Sequence, residues 1–198
     1  MTANRLKQAA LTLFAESGYE GVSLSEIAKS VGIKTPSIYA HFDSKEQLFL
    51  ALLEDAIHEE FEKFTMLLTE TEHQLPIERF YTIFRFFTDL DGLSKGQSFL
   101  KRTMLMPPRK LEERLREKFT AYEDAFTVVL MKLLHACAQP GRCSDEQAER
   151  LLALFYALLD GLLVEHKLYD SARYRTRQAL LWDWMRDAMK QEYAGTRG

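Results

Sequence analysis

The sequence has few of the features that mark secreted, membrane-spanning or highly basic proteins. It contains two cysteines, Cys137 and Cys143, which flank a Gln-Pro-Gly-Arg turn. We expect free thiols there, with a disulfide or redox switch as the alternative. No apolar run reaches membrane-spanning length and Met1 to Lys7 is polar, so we expect a cytoplasmic protein with no membrane partner. The 26 basic and 29 acidic residues give a net charge of −3, which excludes a generic polycation.

Groups of side chains that could form a catalytic or metal-binding site are also scarce. The five histidines, at positions 41, 58, 73, 135 and 166, lack metal-ligand spacing to the cysteines, apart from a loose match of His135 with Cys137. We find no nucleophile–base pair and no phosphate-binding loop in the sequence. We therefore expect no enzyme activity, no metal and no cofactor, and keep an enzyme built on a helical bundle as an alternative.

Strand-like alternation is missing as well, and no repeat or low-complexity segment occurs. Apolar residues instead recur at helical spacing along the whole chain, which predicts an all-α protein. With 198 residues and 46% apolar content, the chain can form a substantial core in one or two domains. The spacing predicts about nine helices, at approximately 4–17, 23–31, 35–41, 44–71, 76–90, 95–105, 107–137, 144–168 and 171–193.

The segment from Ser23 to Lys45 contains an unusual density of helix start and stop signals. Ser23 and Glu26 have the spacing of a capping box, and Gly32 is suited to end the helix that follows. Thr35 and Pro36 predict a second start at which Thr35 caps the helix. A third start, at 44–47, has the spacing of a second capping box. The segment therefore predicts a helix-turn-helix followed by a third helix.

Residues 5–50 resemble the N-terminal domain of TetR/AcrR-family transcriptional regulators. The resemblance covers about a quarter of the chain. It implies a DNA-binding helix-turn-helix domain at 1–46 and an effector-binding and dimerisation domain at 47–198. The matching residues are Ala10, Leu13, Phe14, Gly18, Tyr19, Ser23, Ile27, Ala28, Val31, Gly32, Tyr39, Phe42, Lys45, Leu48 and Phe49.

The DNA-contacting residues follow from this resemblance and from side-chain chemistry. In the family, residues matching Ser23, Tyr39 and Lys45 grip the phosphate backbone, and those matching 34–37 and His41 face the bases. Hydroxyl, imidazole and ammonium groups suit both roles. The predicted DNA-binding residues are Ser23, Ser25, Lys34, Thr35, Pro36, Ser37, Tyr39, His41 and Lys45.

The charge of the predicted head is not that of a typical DNA-binding domain. Residues 1–50 carry five basic and five acidic side chains, whereas most such domains have a basic surplus. Lys29, Lys34 and Lys45 cluster on one side of the motif. We therefore expect positive potential in a narrow strip, strong salt dependence and weak non-specific binding.

The middle of the chain is rich in aromatic residues and methionine, which build helical cores and also line adaptable apolar pockets. The family resemblance implies a site here for a small, largely apolar or aromatic effector of unknown identity. Asp160 and His166 are candidate polar anchors, and the basic stretch 101–118 is interleaved with glutamates in the manner of a salt-bridged surface. The candidate ligand residues are Phe84, Phe87, Phe99, Met104, Tyr122, Phe126, Phe155 and Tyr156.

The helix predicted at 144–168 is apolar nearly all round, so it requires cover on both sides. A second copy of the chain supplies that cover in the family, where the last two helices form a four-helix bundle. A two-fold dimer sets two DNA-reading helices about 34 Å apart and calls for a palindromic operator. The predicted interface residues are Leu151, Phe155, Leu158, Leu162, Leu181, Trp184 and Met185.

These patterns together predict a bacterial, sequence-specific transcriptional regulator, with repression favoured over activation. An effector would release it from the operator. The alternative is a TetR-like DNA-binding or adaptor protein that acts without a small-molecule effector.

Overall fold

The computed structural model describes residues 3–138 and 143–194, and in these ranges it contains helices and no strands. The all-α prediction is confirmed. The predicted turn at 139–142 lies outside the described residues. Eight α-helices are present: α1 Ala3–Ser17, α2 Leu24–Ser30, α3 Lys45–Glu70, α4 Pro76–Thr88, α5 Lys95–Leu105, α6 Glu112–Cys137, α7 Asp145–Leu168 and α8 Ser171–Ala194. Two short 3-10 helices lie at Thr35–Ser37 and Arg109–Leu111.

The first helix ends follow the predicted signals. The Ser23 hydroxyl accepts the Glu26 backbone N–H at 3.2 Å, and the Glu26 carboxylate accepts the Ser23 backbone N–H at 2.7 Å. Both halves of the predicted capping box are therefore present. Gly18 and Gly32 adopt φ values of +73° and +75°, the left-handed conformation that lets the chain turn sharply after α1 and α2.

The predicted helix at 35–41 differs from the structure. Only Thr35–Ser37 forms a 3-10 helix, and the chain continues as turns to His41. Lys34 occupies the N-cap position and no side chain caps this helix, so the prediction that Thr35 caps it was wrong. Pro36 lies in the first turn of this element, where its missing N–H removes no helical hydrogen bond.

The second predicted capping box, at the start of α3, forms only in part. The Ser44 hydroxyl accepts the Gln47 backbone N–H at 3.0 Å, as predicted. The Gln47 side chain accepts the N–H of Asp43 at 2.5 Å instead of that of Ser44. The cap therefore also holds the turn that precedes α3.

The chain forms two compact units that do not follow the linear order of the sequence. Unit 1 comprises Met1–Lys63 with Gly92–Thr120, and unit 2 comprises Phe64–Asp91 with Ala121–Gly198. Helices α3 and α6 contribute residues to both. The predicted boundary at residue 46 between a DNA-binding and an effector-binding domain remains a prediction about function. The compact unit that contains the helix-turn-helix also contains α5 and the start of α6.

The core of unit 1 joins α1, α3 and α5 through aromatic rings that pack edge-on against one another. Phe49 lies between Phe14 and Phe99, with ring centroids 5.2 and 4.9 Å away, and Tyr19 contacts the same ring at 5.1 Å. All three phenylalanines are buried. Edge-on ring pairs of this kind stabilise beyond the area they bury, so α5 is firmly fastened to the helix-turn-helix.

Unit 1 also contains a buried charged pair between α3 and α5. The Lys101 ammonium lies 2.9 Å from the Glu60 carboxylate, and Glu60 is only 1% exposed. The Gln97 amide donates to the second carboxylate oxygen of Glu60 at 2.8 Å. Because the pair is excluded from water, removal of either charge is expected to destabilise the folded protein.

Unit 2 is built from α4, α7, α8, the end of α3 and most of α6. One aromatic cluster centres on Phe126, whose ring centroid lies 4.7 Å from that of Phe64 and 5.1 Å from that of Phe87. A second cluster joins Phe80 to Phe155 at 5.0 Å.

Within 3–138 and 143–194 we find no helix with the length and apolar character needed to span a bilayer.

Candidate nucleic-acid interface

The segment after α2 presents polar side chains outward from a buried anchor. Ile38 and Phe42 are buried, and the Ile38 carbonyl accepts the N–H groups of His41 and Phe42 at 2.8 and 3.0 Å. Those bonds hold the backbone in a helical turn. Ser37, Tyr39 and His41 therefore lie at the surface, and Tyr39 is 54% exposed. The arrangement makes hydroxyl and imidazole groups available to a partner.

The remaining predicted contacts of this segment lie at its start. Lys34 and Pro36 are exposed, and Thr35 is half-buried. Because Lys34 is the N-cap residue in extended conformation, its side chain leaves the segment at the end where the chain enters the 3-10 helix. These positions stay predictions for DNA contact.

The predicted phosphate contact at Ser23 is already engaged within the chain. Its hydroxyl donates to the Glu26 carboxylate at 2.8 Å while accepting the Glu26 N–H. Hydrogen bonds from the Ser23 backbone and hydroxyl lower the pKa of Glu26, so this carboxylate is charged at neutral pH. Ser25, one residue into α2, is exposed.

Lys45 has a structural role in addition to its predicted contact with phosphate. Its ammonium donates to the Val22 carbonyl at 2.7 Å and lies 4.1 Å from the centroid of the Tyr19 ring. Burial lowers the pKa of Lys45, Glu20 opposes the change, and the nearby Lys110 adds to it. Lys45 thus fastens the start of α3 to the turn between α1 and α2.

The eight predicted effector residues are divided between the two units. Phe99 belongs to the core of unit 1, and Met104 lies in the same unit. The other six lie in unit 2, where Phe84 and Phe155 are buried in one cluster and Tyr122 packs on Phe126 in the other. Helical spacing identified their apolar faces but not the helices that those faces contact.

Tyr156 is the predicted effector residue with a defined polar partner. Its hydroxyl shares a hydrogen bond with Thr127 at 2.9 Å and reaches the Glu123 carbonyl at 3.3 Å. Burial raises the pKa of Tyr156 to about 12. The side chain therefore links α6 to α7 as a neutral hydrogen-bonding group.

Unit 2 contains a cleft of about 470 Å³ between α4 and α8. Its lining combines charged and apolar side chains, and Phe84 is the predicted effector residue among them. Arg85 pairs with Asp89 at 2.8 Å, and Asp91 accepts His166 at 3.1 Å. The His166 hydrogen bond is the main cause that lowers the pKa of Asp91. Among the described residues, no group of three or more acidic, histidine or cysteine side chains is arranged for a metal ion.

Five of the seven predicted dimer residues lie inside the single chain. Leu151, Phe155, Leu158, Leu162 and Met185 are buried among its own helices. Leu181 is half-buried and Trp184 is 58% exposed. The most apolar face of α7 was assigned to the partner, but it packs on α4 and α8. The exposed apolar residues of α7 and α8 include Ala153, Ala157, Val164, Leu168, Leu180 and Trp184.

The helix-turn-helix has neighbours that sequence reasoning did not place there. Lys95 donates to the Thr12 hydroxyl at 3.0 Å, and Arg114 pairs with Glu46 at 2.7 Å. The signal for the Arg114 contact was the basic stretch 101–118. Within it, the predicted helical pair of Arg116 with Glu112 is present at 3.5 Å, whereas other cations of the stretch join separate helices.

Comparison with known proteins agrees with this geometry. Residues 6–52 match the family described as "Bacterial regulatory proteins, tetR family". The chain is 36% identical over 132 residues to IcaR of Staphylococcus epidermidis, the negative transcriptional regulator of the biofilm operon icaADBC, covering 62% of this chain and 70% of that protein. The IcaR protein of Staphylococcus aureus is 58% identical over 40 residues, which are 20% of this chain and 22% of that one.

Solved structures share the fold over nearly the whole chain. A TetR transcriptional regulator from Chloroflexus aurantiacus has a TM-score of 0.73 at 23% identity, covering 95% of this chain and 93% of that one. A putative transcriptional regulator from Saccharomonospora viridis in complex with choline has a TM-score of 0.70 at 22% identity, covering 92% and 94%. NalD of Pseudomonas aeruginosa has a TM-score of 0.63 at 24% identity, covering 93% and 95%. The helix-turn-helix, the matched residues 6–52 and the similarity to IcaR establish that the chain belongs to the tetR family of bacterial regulatory proteins.

Proposed function

We propose that this protein is a cytoplasmic repressor that binds a palindromic operator as a dimer and leaves it when a small molecule binds. The observation that carries the proposal is the outward row of Ser37, Tyr39 and His41 above buried Ile38. The relative in Staphylococcus epidermidis is named a negative regulator, and NalD is described as the secondary repressor of a multidrug efflux pump. Both names favour repression over activation.

The exposed side chains divide by chemistry into two roles. Ser37 and His41 can donate to and accept from base edges, which in the major groove differ for each base pair. The Tyr39 hydroxyl and the Lys45 ammonium suit phosphate oxygens, whose contacts set position without reading sequence. Sequence preference therefore rests on a few short side chains, and affinity on the phosphate contacts around them.

The dimer surface is proposed on the exposed faces of α7 and α8. Ala153 and Ala157 are one turn apart on α7, and small residues let another helix approach closely. Leu180 and Trp184, one turn apart on α8, are 62% and 58% exposed. Two such faces related by a two-fold axis bury these apolar groups and set the two DNA-reading segments about 34 Å apart.

A charge placed on this surface tests the dimer. We expect Leu180→Glu with Trp184→Glu to produce a monomer in sedimentation velocity at micromolar concentration, with loss of operator binding. The control is Val128→Glu on α6, because Val128 is an apolar residue of the same unit with 56% exposure. A dimer that survives the paired change would contradict this surface.

The effector is proposed to bind in unit 2. The regulator from Saccharomonospora viridis is described in complex with choline, which supports a small organic molecule in general. Aromatic rings of the Phe126 cluster offer an apolar surface, and the cleft between α4 and α8 offers Tyr81 together with charged groups. To release DNA, the effector needs only to favour one conformation over the other by a few kcal/mol.

Selection of bound DNA from a random pool tests the function as a whole. We expect a palindromic sequence to be enriched and a gel shift on that sequence to be relieved by some member of a small-molecule library. Specific binding that no compound relieves would favour the adaptor alternative. Failure to enrich any sequence at low salt would contradict the regulator itself.

A further inference from the structure

The charge balance of the helix-turn-helix changes when its neighbours in unit 1 are included. Residues 1–50 carry as many acidic as basic side chains, five of each. The segment 92–120 belongs to the same compact unit, and it carries eight basic residues against three acidic ones. The cations that the head lacks are therefore supplied by a segment that lies far away in sequence.

The start of α6 lies beside the start of α3, the helix that follows the DNA-facing segment. Arg114 pairs with Glu46 at 2.7 Å, and Lys118 pairs with Glu54 at 2.5 Å. Residue numbers rise together along both helices, so the helices run in the same direction from a common end. The residues that precede Arg114 therefore lie near the N-terminal end of α3.

Arg109 and Lys110 occupy this end, about one helical turn before Arg114. They belong to the 3-10 helix that precedes α6, and both are exposed. Neither side chain makes a hydrogen bond or ion pair with residues 3–138 or 143–194 in the structure. The Lys110 charge acts on Lys45, which agrees with a short separation from the predicted phosphate contact.

The nearby acidic residues do not neutralise this edge. Glu112 is engaged by Arg116 at 3.5 Å. Glu112 and Glu113 both lie in the first turn of α6, where the positive end of the helix dipole favours negative side chains. Arg109 and Lys110 thus form a cationic edge next to Lys45 whose charges have no partner among the described residues.

We propose that Arg109 and Lys110 bind the DNA phosphate backbone next to the bases that the helix-turn-helix reads. This rests on the proposed function, because the head must bring DNA to this edge. Phosphate is the anion that the neighbouring Lys45 is predicted to meet, and guanidinium and ammonium groups are its usual side-chain ligands. Arg109 and Lys110 would extend the contact with DNA along its phosphates without contributing to sequence specificity. Their positive charges would compensate for the lack of net positive charge in residues 1–50.

The test compares operator binding of the full-length protein with that of the variant Arg109→Gln/Lys110→Gln across a salt series. Glutamine keeps most of each side-chain stem. Each lost phosphate contact removes about 0.9 from the slope of log K against log salt. The dimer loses two contacts from each protomer, so the slope should fall by about 3.6. The same relation predicts that affinity in 0.1 M salt decreases by roughly tenfold per contact, with sequence preference unchanged.

The matched control is Lys132→Gln/Lys167→Gln, which removes two exposed cations from unit 2. It should leave the slope and affinity close to those of the unaltered protein. Shortening the duplex on either side of the selected operator should weaken the unaltered protein but not the variant at 109 and 110. That result would locate the contact on flanking phosphates.

Two outcomes would overturn the proposal, and they are distinguishable. If the unaltered protein binds its operator and the variant at 109 and 110 keeps the same slope, the edge serves another partner, such as an acidic protein, and the proposed function stands. If the unaltered protein enriches no operator, the proposed function fails and this contact fails with it.

Discussion

Removal of the Lys101 charge should destabilise the protein far more than removal of Lys118, which lies closer to its carboxylate partner but pairs with an exposed one. In the variant Lys101→Met, Glu60 remains 1% exposed without the ammonium that lies 2.9 Å away. Breaking a buried pair by removing one partner costs about 3–5 kcal/mol. Gln97 still donates to Glu60, so we expect the lower end, about 3 kcal/mol.

The assay is urea and thermal unfolding followed by circular dichroism at fixed protein concentration. A loss of about 3 kcal/mol lowers the Tm of a chain of this size by roughly 6–12 °C. The control is Lys118→Met, because Lys118 lies 2.5 Å from Glu54 but the Glu54 side chain is 62% exposed. An exposed pair contributes about 0–1 kcal/mol.

One further measurement separates the effect of the buried charge from lost packing. Addition of Glu60→Gln to Lys101→Met should restore much of the stability, since the buried negative charge is gone. Equal losses for Lys101→Met and Lys118→Met would refute the reasoning.

Four other changes test the head and its core. Tyr39→Phe should weaken binding to all DNA sequences alike, whereas His41→Ala should change the preferred sequence in a random-pool selection; the opposite pattern would exchange their roles. Ser23→Ala should cost about 1 kcal/mol at pH 7. The pKa of Glu26 is lowered in the folded state, so the stabilising contribution of its charged form is complete at neutral pH and disappears as pH falls through that lowered pKa. The stability lost in Ser23→Ala should therefore be smaller at pH 3. An NMR titration of this variant should show that the pKa of Glu26 has risen. Phe99→Ala should cost about 3–5 kcal/mol in urea unfolding, and a much smaller loss would argue against its place in the core of unit 1.

The local elements were predictable because each depends on residues close in sequence. Ser23 and Glu26 meet within one helical turn, and Gly18 and Gly32 need only their own backbone freedom to end α1 and α2. The buried anchors Ile38 and Phe42 also follow from helical spacing. The exception was the helix at 35–41, where the regular element is only three residues long.

The placement of whole helices was not predictable in the same way. Apolar spacing identifies the face of a helix that must be covered, but several helices can supply the cover. Phe99 was assigned to an effector site and instead packs on Phe49. Leu162 and Met185 were assigned to a second chain and are buried in their own.

The sequence by itself determined the family, the helix-turn-helix and the exposed side chains proposed to contact DNA, because these depend on signals within about 45 consecutive residues. Only the tertiary structure decided which distant residues join the head. It brought Glu60 to Lys101, and the start of α6 to the start of α3, since the packing of long helices depends on surface shape along their whole length. The few charges of the head are thereby supplemented by Arg109 and Lys110, whose position no local pattern contains.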